Sequence, residues 1–226
     1  MTTGSVAVGD LTAYLAQPEG GSDTVMLLLP MINGIDAQVR EYADDVAVSG
    51  VTALVWDPWH GPSLDDTAKE RLFELMGELD DEACLAEMGA LLDYARGELG
   101  ARRVGVIGWC LGGGSRCCSA PATPISRMSL RTIRRSGIRP RRITTSTRSR
   151  WPDDRRPVMV LHAGADTILS TGSFQALQAA LQSRESGATI VHAYPGAAHG
   201  FSARARHDDP VNKAAGRSPG RRRWPS

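Results

Sequence analysis

Among the side chains able to do covalent chemistry, Cys110 has the most telling surroundings. It stands in Gly108-Trp109-Cys110-Leu111-Gly112-Gly113-Gly114, directly after the apolar run 104–107. A run of that length suits one buried parallel strand, and the glycines behind it let a strand turn sharply into a helix. Glycine at 108 and 112 removes the Cβ atoms that would collide in so tight a turn. The residue at the tip then sits in strained backbone with its side chain exposed. The pattern is a nucleophile elbow carrying sulfur in place of oxygen. At a helix start the partial positive charge favours thiolate, and the backbone N–H of Leu111 is placed to hold an oxyanion. A glycine-rich turn with an inert buried cysteine would read the same way, so the motif needs partners.

A cysteine nucleophile needs a base within hydrogen-bond reach, and the base needs a third group to fix its tautomer. Asp166 closes the loop Ala163-Gly164-Ala165-Asp166 after the apolar run 157–162, and His199 lies past the run 188–193, behind Tyr194-Pro195-Gly196. Taken singly, Asp166 reads as a turn or capping aspartate and His199 as a solvated loop histidine. Together with the elbow they give the order nucleophile, acid, histidine found in α/β-hydrolases. All three fall at the carboxyl ends of expected strands, where open parallel sheets hold their sites. His60, His162 and His207 have no such context and are expected to be structural or exposed.

The elements that must position these residues follow from periodicity. Residues 6–8 and 11–15 alternate as two short antiparallel strands around a Gly9-Asp10 turn. Residues 25–29 are continuously apolar, as in a strand covered on both faces, and 51–56 form the next strand. Between them Asp36 caps a helix with Val39, Ala43 and Val46 at helical spacing, which Gly50 ends. The spacing of Cys84, Met88, Leu91, Leu92, Ala95 and Leu99 predicts a helix over 80–100, with Cys84 in the core. Phe174, Leu177 and Leu181 mark another helix. The expected fold class is therefore α/β: an α/β-hydrolase-like, mostly parallel sheet with helices on both faces, in a single domain over residues 1–226.

Residues 115–156 interrupt that pattern. From Arg116 to Arg156 there are twelve arginines and no lysine against two aspartates, and the last ten residues add four more arginines. Removing those sixteen basic and two acidic residues from the totals of 26 and 25 leaves 10 basic against 23 acidic. The remainder has the balance of an ordinary acidic protein, with two basic pieces set into it. Residues 115–156 show neither helical nor strand period and do not carry the apolar residues needed to order themselves, and the arginine-rich character returns from Gly216. No run reaches the ~18 apolar residues of a membrane span, and the N-terminus lacks a signal peptide's pattern. The expected compartment is cytoplasmic, with Cys84, Cys110, Cys117 and Cys118 as free thiols in neither CxxC nor zinc spacing.

At Gly-Trp-Cys-Leu-Gly-Gly, Gly-Ala-Asp and His-Gly-Phe after a Tyr-Pro-Gly turn, the sequence resembles the dienelactone hydrolase family, cysteine-dependent α/β-hydrolases that open unsaturated lactones. The resemblance covers roughly residues 5–115 and 157–213. It implies the triad Cys110, Asp166 and His199, with an oxyanion hole at the backbone N–H groups of Leu111 and Ile32. Where the family has a His-Glu or Gln-Glu pair after the strand, this chain has Pro30-Met31, so the glutamate that helps ionise the thiol is missing. A family arginine that receives the substrate carboxylate is matched only loosely, by Arg204. In the family the interval 115–156 holds a helix, a strand and their connection. Here the spacing is kept and the character lost, as when a GC-rich gene is read out of frame, once after Gly114 with return near Pro157 and again near Gly216.

The expected function is hydrolysis of a small ester or lactone, with no metal or organic cofactor, no membrane partner and unknown oligomeric state. One alternative is an inactive or unstable, frame-disrupted relative. Another is a basic nucleic-acid-binding protein, which the sequence supports weakly because the arginines are not interleaved with aromatic residues.

Overall fold

The computed structural model describes residues 1–114 and 157–217. These fall into two compact units, the first ending and the second beginning within the interval between them.

The first unit is built on a five-stranded sheet in the order β1-β2-β4-β3-β5. Strands β1 (Thr2–Val8) and β2 (Leu11–Gln17) form a hairpin, paired from Thr2 with Gln17 to Val8 with Leu11, and Gly9 turns it at φ 60°. Both strands run beyond the alternation that marks them in sequence. Residues Thr2 to Ser5 are held by cross-strand backbone bonds, which need no apolar pattern. Strand β3 (Thr24–Leu29) lies parallel to both β4 (Thr52–Val55) and β5 (Arg103–Gly108), while β2 meets β4 antiparallel.

Because successive side chains leave a strand on opposite faces, β3 serves two cores. Val25, Leu27 and Leu29 pack with Cys84, Met88, Leu91, Leu92 and Ala95 of the long helix behind them. Leu28 and Met26 meet Val39, Ala43 and Ala47 on the other face. The helices are α1 (Ala37–Val48), α2 (Lys69–Glu78) and α3 (Asp81–Gly97), and α1 and α3 cover opposite faces of the sheet, as expected. Asp36 caps α1 by accepting the Val39 N–H at 2.9 Å, and Asp80 caps α3 through Ala83 at 2.8 Å. Helix α2 has Ala68 at its cap position and no side-chain cap, so the sequence holds no start signal for it. Its apolar positions Leu72, Leu75 and Met76 do recur at helical spacing, and they pack in one cluster with Ile32.

The second unit holds β6 (Val158–Ala163) and β7 (Thr189–Tyr194), paired in parallel from Val158 with Thr189 to Ala163 with Tyr194. Helix α5 (Thr171–Gln182) connects them, after α4 (Leu111–Gly114) of the first unit, and Ser170 caps it through the Ser173 N–H at 3.1 Å. A single 3₁₀ turn (Arg204–Arg206) precedes α6 (Pro210–Arg217). Among the described residues no helix is long and apolar enough to cross a membrane. The expectations for residues 115–156 and for most of the arginine-rich tail, like those for Cys117 and Cys118, lie outside the described residues.

Candidate active site

The elbow is set by contacts between β5 and β3. After β5 the Trp109 N–H donates to the Leu29 carbonyl at 3.1 Å, and the Trp109 ring stacks on Tyr42 of α1 with centroids 5.1 Å apart. Cys110 then takes φ 48°, one of two non-glycine residues among the described residues with positive φ, the other being His60. The chain turns back at once: the Gly112 N–H donates to both Pro30 O, at 3.0 Å, and Trp109 O, at 2.9 Å. A Cβ at Gly112 would lie 2.2 Å from the Leu29 carbonyl oxygen, so only glycine fits. The Cys110 side chain is exposed at the tip, whereas Cys84 is buried on α3.

Leu111 and Ile32, whose N–H groups are the oxyanion candidates, are both buried and share an apolar cluster with Trp59 and Leu72. Ile32 reaches this place from the loop after β3. Met31, at the position of the family glutamate, is buried among Leu28, Val39 and Ala43.

In the second unit the loops after β6 and β7 are locked together. The Gly164 N–H donates to Tyr194 O and the Ala165 N–H to Ala197 O, each at 2.9 Å, and a Cβ on Gly164 would meet Pro195 Cα at 3.0 Å. Asp166 and His199 are thereby brought together, with Asp166 Oδ2 2.8 Å from His199 Nδ1. The other carboxylate oxygen, Oδ1, accepts the N–H groups of Ile168 at 2.8 Å and Leu169 at 2.9 Å. Asp166 is thus both a turn aspartate and a histidine partner. Burial pushes its carboxyl up, but the Leu169 N–H, His199 and the Ile168 N–H outweigh it, and the group lies below the ordinary carboxylate range. With Nδ1 facing the carboxylate, the proton of neutral His199 sits on Nδ1 and leaves Nε2 as the basic nitrogen.

Two supporting residues escaped the sequence. Asn212 of α6 is buried and its Oδ1 accepts the Ala198 N–H at 2.8 Å, fixing the residue before His199. Nothing local marks it, since its partner is fourteen residues away. Asp57, after β4, accepts the Trp59 N–H at 3.0 Å and the Gly61 N–H at 2.8 Å, and burial pushes its carboxyl up. The other four histidines have partners of their own: His60 Nε2 lies 3.0 Å from Glu87 Oε1, His162 stacks on Phe174, His192 stacks on Tyr194, and His207 faces the Phe201 carbonyl. Arg204 lies in the 3₁₀ turn beyond His199. Among the described residues no three His, Cys, Asp or Glu side chains gather as a metal site.

A mostly parallel central sheet covered on both faces, an elbow and a loop-borne acid–histidine pair define an α/β-hydrolase. The sequence pattern of the dienelactone hydrolase family matches residues 11–221, and the chain belongs to that family of ester and lactone hydrolases. It is 31% identical over 191 residues to carboxymethylenebutenolidase 2 of Cupriavidus pinatubonensis, covering 84% of this chain and 78% of that one. A probable 2-oxo-3-(5-oxofuran-2-ylidene)propanoate lactonase of Bradyrhizobium sp is 32% identical over 124 residues, 52% of this chain, and the match spans only 49% of that relative. In fold, the chain is similar to a provisionally assigned dienelactone hydrolase of Klebsiella pneumoniae, with TM-score 0.69 at 19% identity, covering 95% of this chain and 94% of the other.

Proposed function

We propose that the chain hydrolyses small carboxylic esters or lactones, of the carboxymethylenebutenolidase type, through a Cys110-Asp166-His199 triad. The observation that carries this reading is the left-handed backbone of Cys110 at an elbow that only glycine at 112 permits, with the thiol exposed. Strain at a non-glycine tip persists where the surroundings enforce it, and such positions cluster at reacting groups.

The steps follow from the chemistry of a thiol, an imidazole and a carboxylate in these roles. His199 Nε2 takes the Cys110 proton and the thiolate attacks the substrate carbonyl carbon. The carbonyl oxygen becomes an oxyanion, held by the N–H groups of Leu111 and Ile32. Collapse breaks the C–O bond, imidazolium returns its proton to the leaving alkoxide, and a thioester remains on Cys110. Water, deprotonated by His199, attacks the thioester, and the acid product leaves as the thiol is restored. Asp166 stabilises the imidazolium formed in each half. Because Met31 replaces the family glutamate, thiol ionisation falls to His199 and the helix start alone. On this reading residues 1–226 belong to one domain.

The test is active-site labelling during turnover of an activated ester. A thioester trapped on Cys110 by acid quench supports the reading; an acyl group on a different residue, or hydrolysis unchanged in Cys110→Ala, overturns it.

A further inference from the structure

The loop after β3 offers Ile32 as an oxyanion donor, and three successive carbonyls of that loop are each held. Met31 O accepts the Gly34 N–H at 3.2 Å, Ile32 O accepts the Trp59 indole Nε1–H at 2.9 Å, and Asn33 O accepts the Leu64 N–H at 2.9 Å. The first bond orients the Met31–Ile32 peptide, whose N–H points opposite to its carbonyl because the peptide is trans. The second orients the next peptide. Only these two peptides flank the Ile32 Cα, so a donor that would otherwise swing about two soft dihedrals is pinned on both sides.

Trp59 in turn is held at its backbone and at its ring. Trp59 is buried, its own N–H donates to Asp57 Oδ1 at 3.0 Å, and the other oxygen of that carboxylate holds the Gly61 N–H at 2.8 Å. Gly34, at φ 68°, passes so close that a Cβ there would stand 2.7 Å from Trp59 Cδ1. Ile32, Leu111, Leu72 and Trp59 form one apolar cluster, so the indole braces the two donor residues by packing as well as by its hydrogen bond.

We propose that Trp59 is a positioning residue for the oxyanion hole: its backbone is held by Asp57, and its Nε1–H, bound to the Ile32 carbonyl, sets the Ile32 peptide so that the Ile32 N–H meets the developing charge. This rests on the reading of Ile32 and Leu111 as oxyanion donors in the Cys110 mechanism. Preorganised donors act by needing no reorganisation when charge develops, so a loosened donor lowers the rate of the chemical step more than substrate binding.

The experiment compares the full chain with Trp59→Phe and Cys110→Ala on p-nitrophenyl acetate and on its thionoester, whose sulfur anion is a poor hydrogen-bond acceptor. Trp59→Phe should lower kcat on the oxygen ester about tenfold, the lower end of the cost of losing an orienting partner, with KM within about twofold. The loss on the thionoester should be much smaller, so the preference for the oxygen ester narrows. Equal losses on both substrates, or an unchanged kcat, overturn the proposal. If Trp59→Phe does not fold, 3-benzothienylalanine at position 59 keeps the ring shape without the N–H, and the same ratio decides. Should Cys110→Ala retain full activity, the catalytic reading falls and this proposal with it. If Cys110→Ala is dead while the Trp59 variants keep the wild-type ratio, the positioning role alone is wrong.

Discussion

At the scale of single residues, the two described cysteines differ in a way that chemistry can read. Cys110 is exposed at a helix start and Cys84 is buried among leucines, so iodoacetamide near neutral pH should alkylate Cys110 first and abolish ester hydrolysis with it. Equal labelling of both thiols in folded protein would point to an inert turn cysteine. Asp166→Asn should lower kcat by roughly 10²–10⁴-fold, because the amide no longer fixes the His199 tautomer. The same substitution has a signature in stability. The folded Asp166 carboxyl lies below its ordinary value, so its contribution is complete above about pH 4 and is lost as pH falls through the folded value. Urea midpoints taken between about pH 2 and 5 should therefore fall less steeply for Asp166→Asn than for the wild type. An identical acid slope would show that the charged carboxylate, with its bonds to Leu169, His199 and Ile168, adds nothing to the fold.

Among the elements, the tightest constraint is steric. Gly112→Ala would place a methyl group 2.2 Å from the Leu29 oxygen, and backbone must move to admit it. A cost of about 3 kcal/mol or more is expected, the upper part of the range for overpacking, read as a fall in the denaturation midpoint. Asp36→Ala should cost about 1–2 kcal/mol, since this buried carboxylate caps α1 and also accepts from Asn33 Nδ2 at 2.9 Å. These constraints mark the boundary of what the sequence discloses. Helices α1 and α3 were legible because each has an aspartate cap, an apolar stripe and a glycine beyond its end, and β3 because five consecutive apolar residues mark a strand covered on both faces. The elbow was legible from its glycines. Helix α2 was not, for want of a cap, and the supports of the site were not, because Trp59 to Ile32 and Asn212 to Ala198 are long-range bonds that no spacing rule encodes. Local patterns reveal what a residue does to its neighbours in the chain, and positioning is done by residues far from it.

For the molecule as a whole, the open matter is how a family chain accommodates residues 115–156. Our hypothesis is that this interval and the tail are out-of-frame readings, motivated by their preserved spacing and arginine-rich composition. Replacing both with the continuing frame should restore a helix period behind Cys110, a strand run, and a final amphipathic helix. A handful of added aliphatic side chains, each stabilising by ~1.5–3 kcal/mol, matches a domain's net stability of ~5–15 kcal/mol. Circular-dichroism melts should thus show a sharper, higher transition for the repaired chain, with Cys110-dependent esterase activity rising in parallel. If the present chain melts as cooperatively and turns over a lactone as fast, the arginine-rich interval is a tolerated insert. Salt-sensitive retention on DNA would instead favour the nucleic-acid alternative.

The stack of Trp109 on Tyr42 has an optical consequence. The indole is covalently next to the reacting thiol, and its ring leans on a phenol only 5.1 Å away. Excitation of the tyrosine will pass to that indole, and the colour of its emission depends on how polar its surroundings are. Acylating Cys110 puts the acyl group of the substrate on the residue next to that indole. Each turnover should then shift the emission and return it, so that the lifetime of the thioester can be timed in a stopped-flow cell with no chromophore on the substrate.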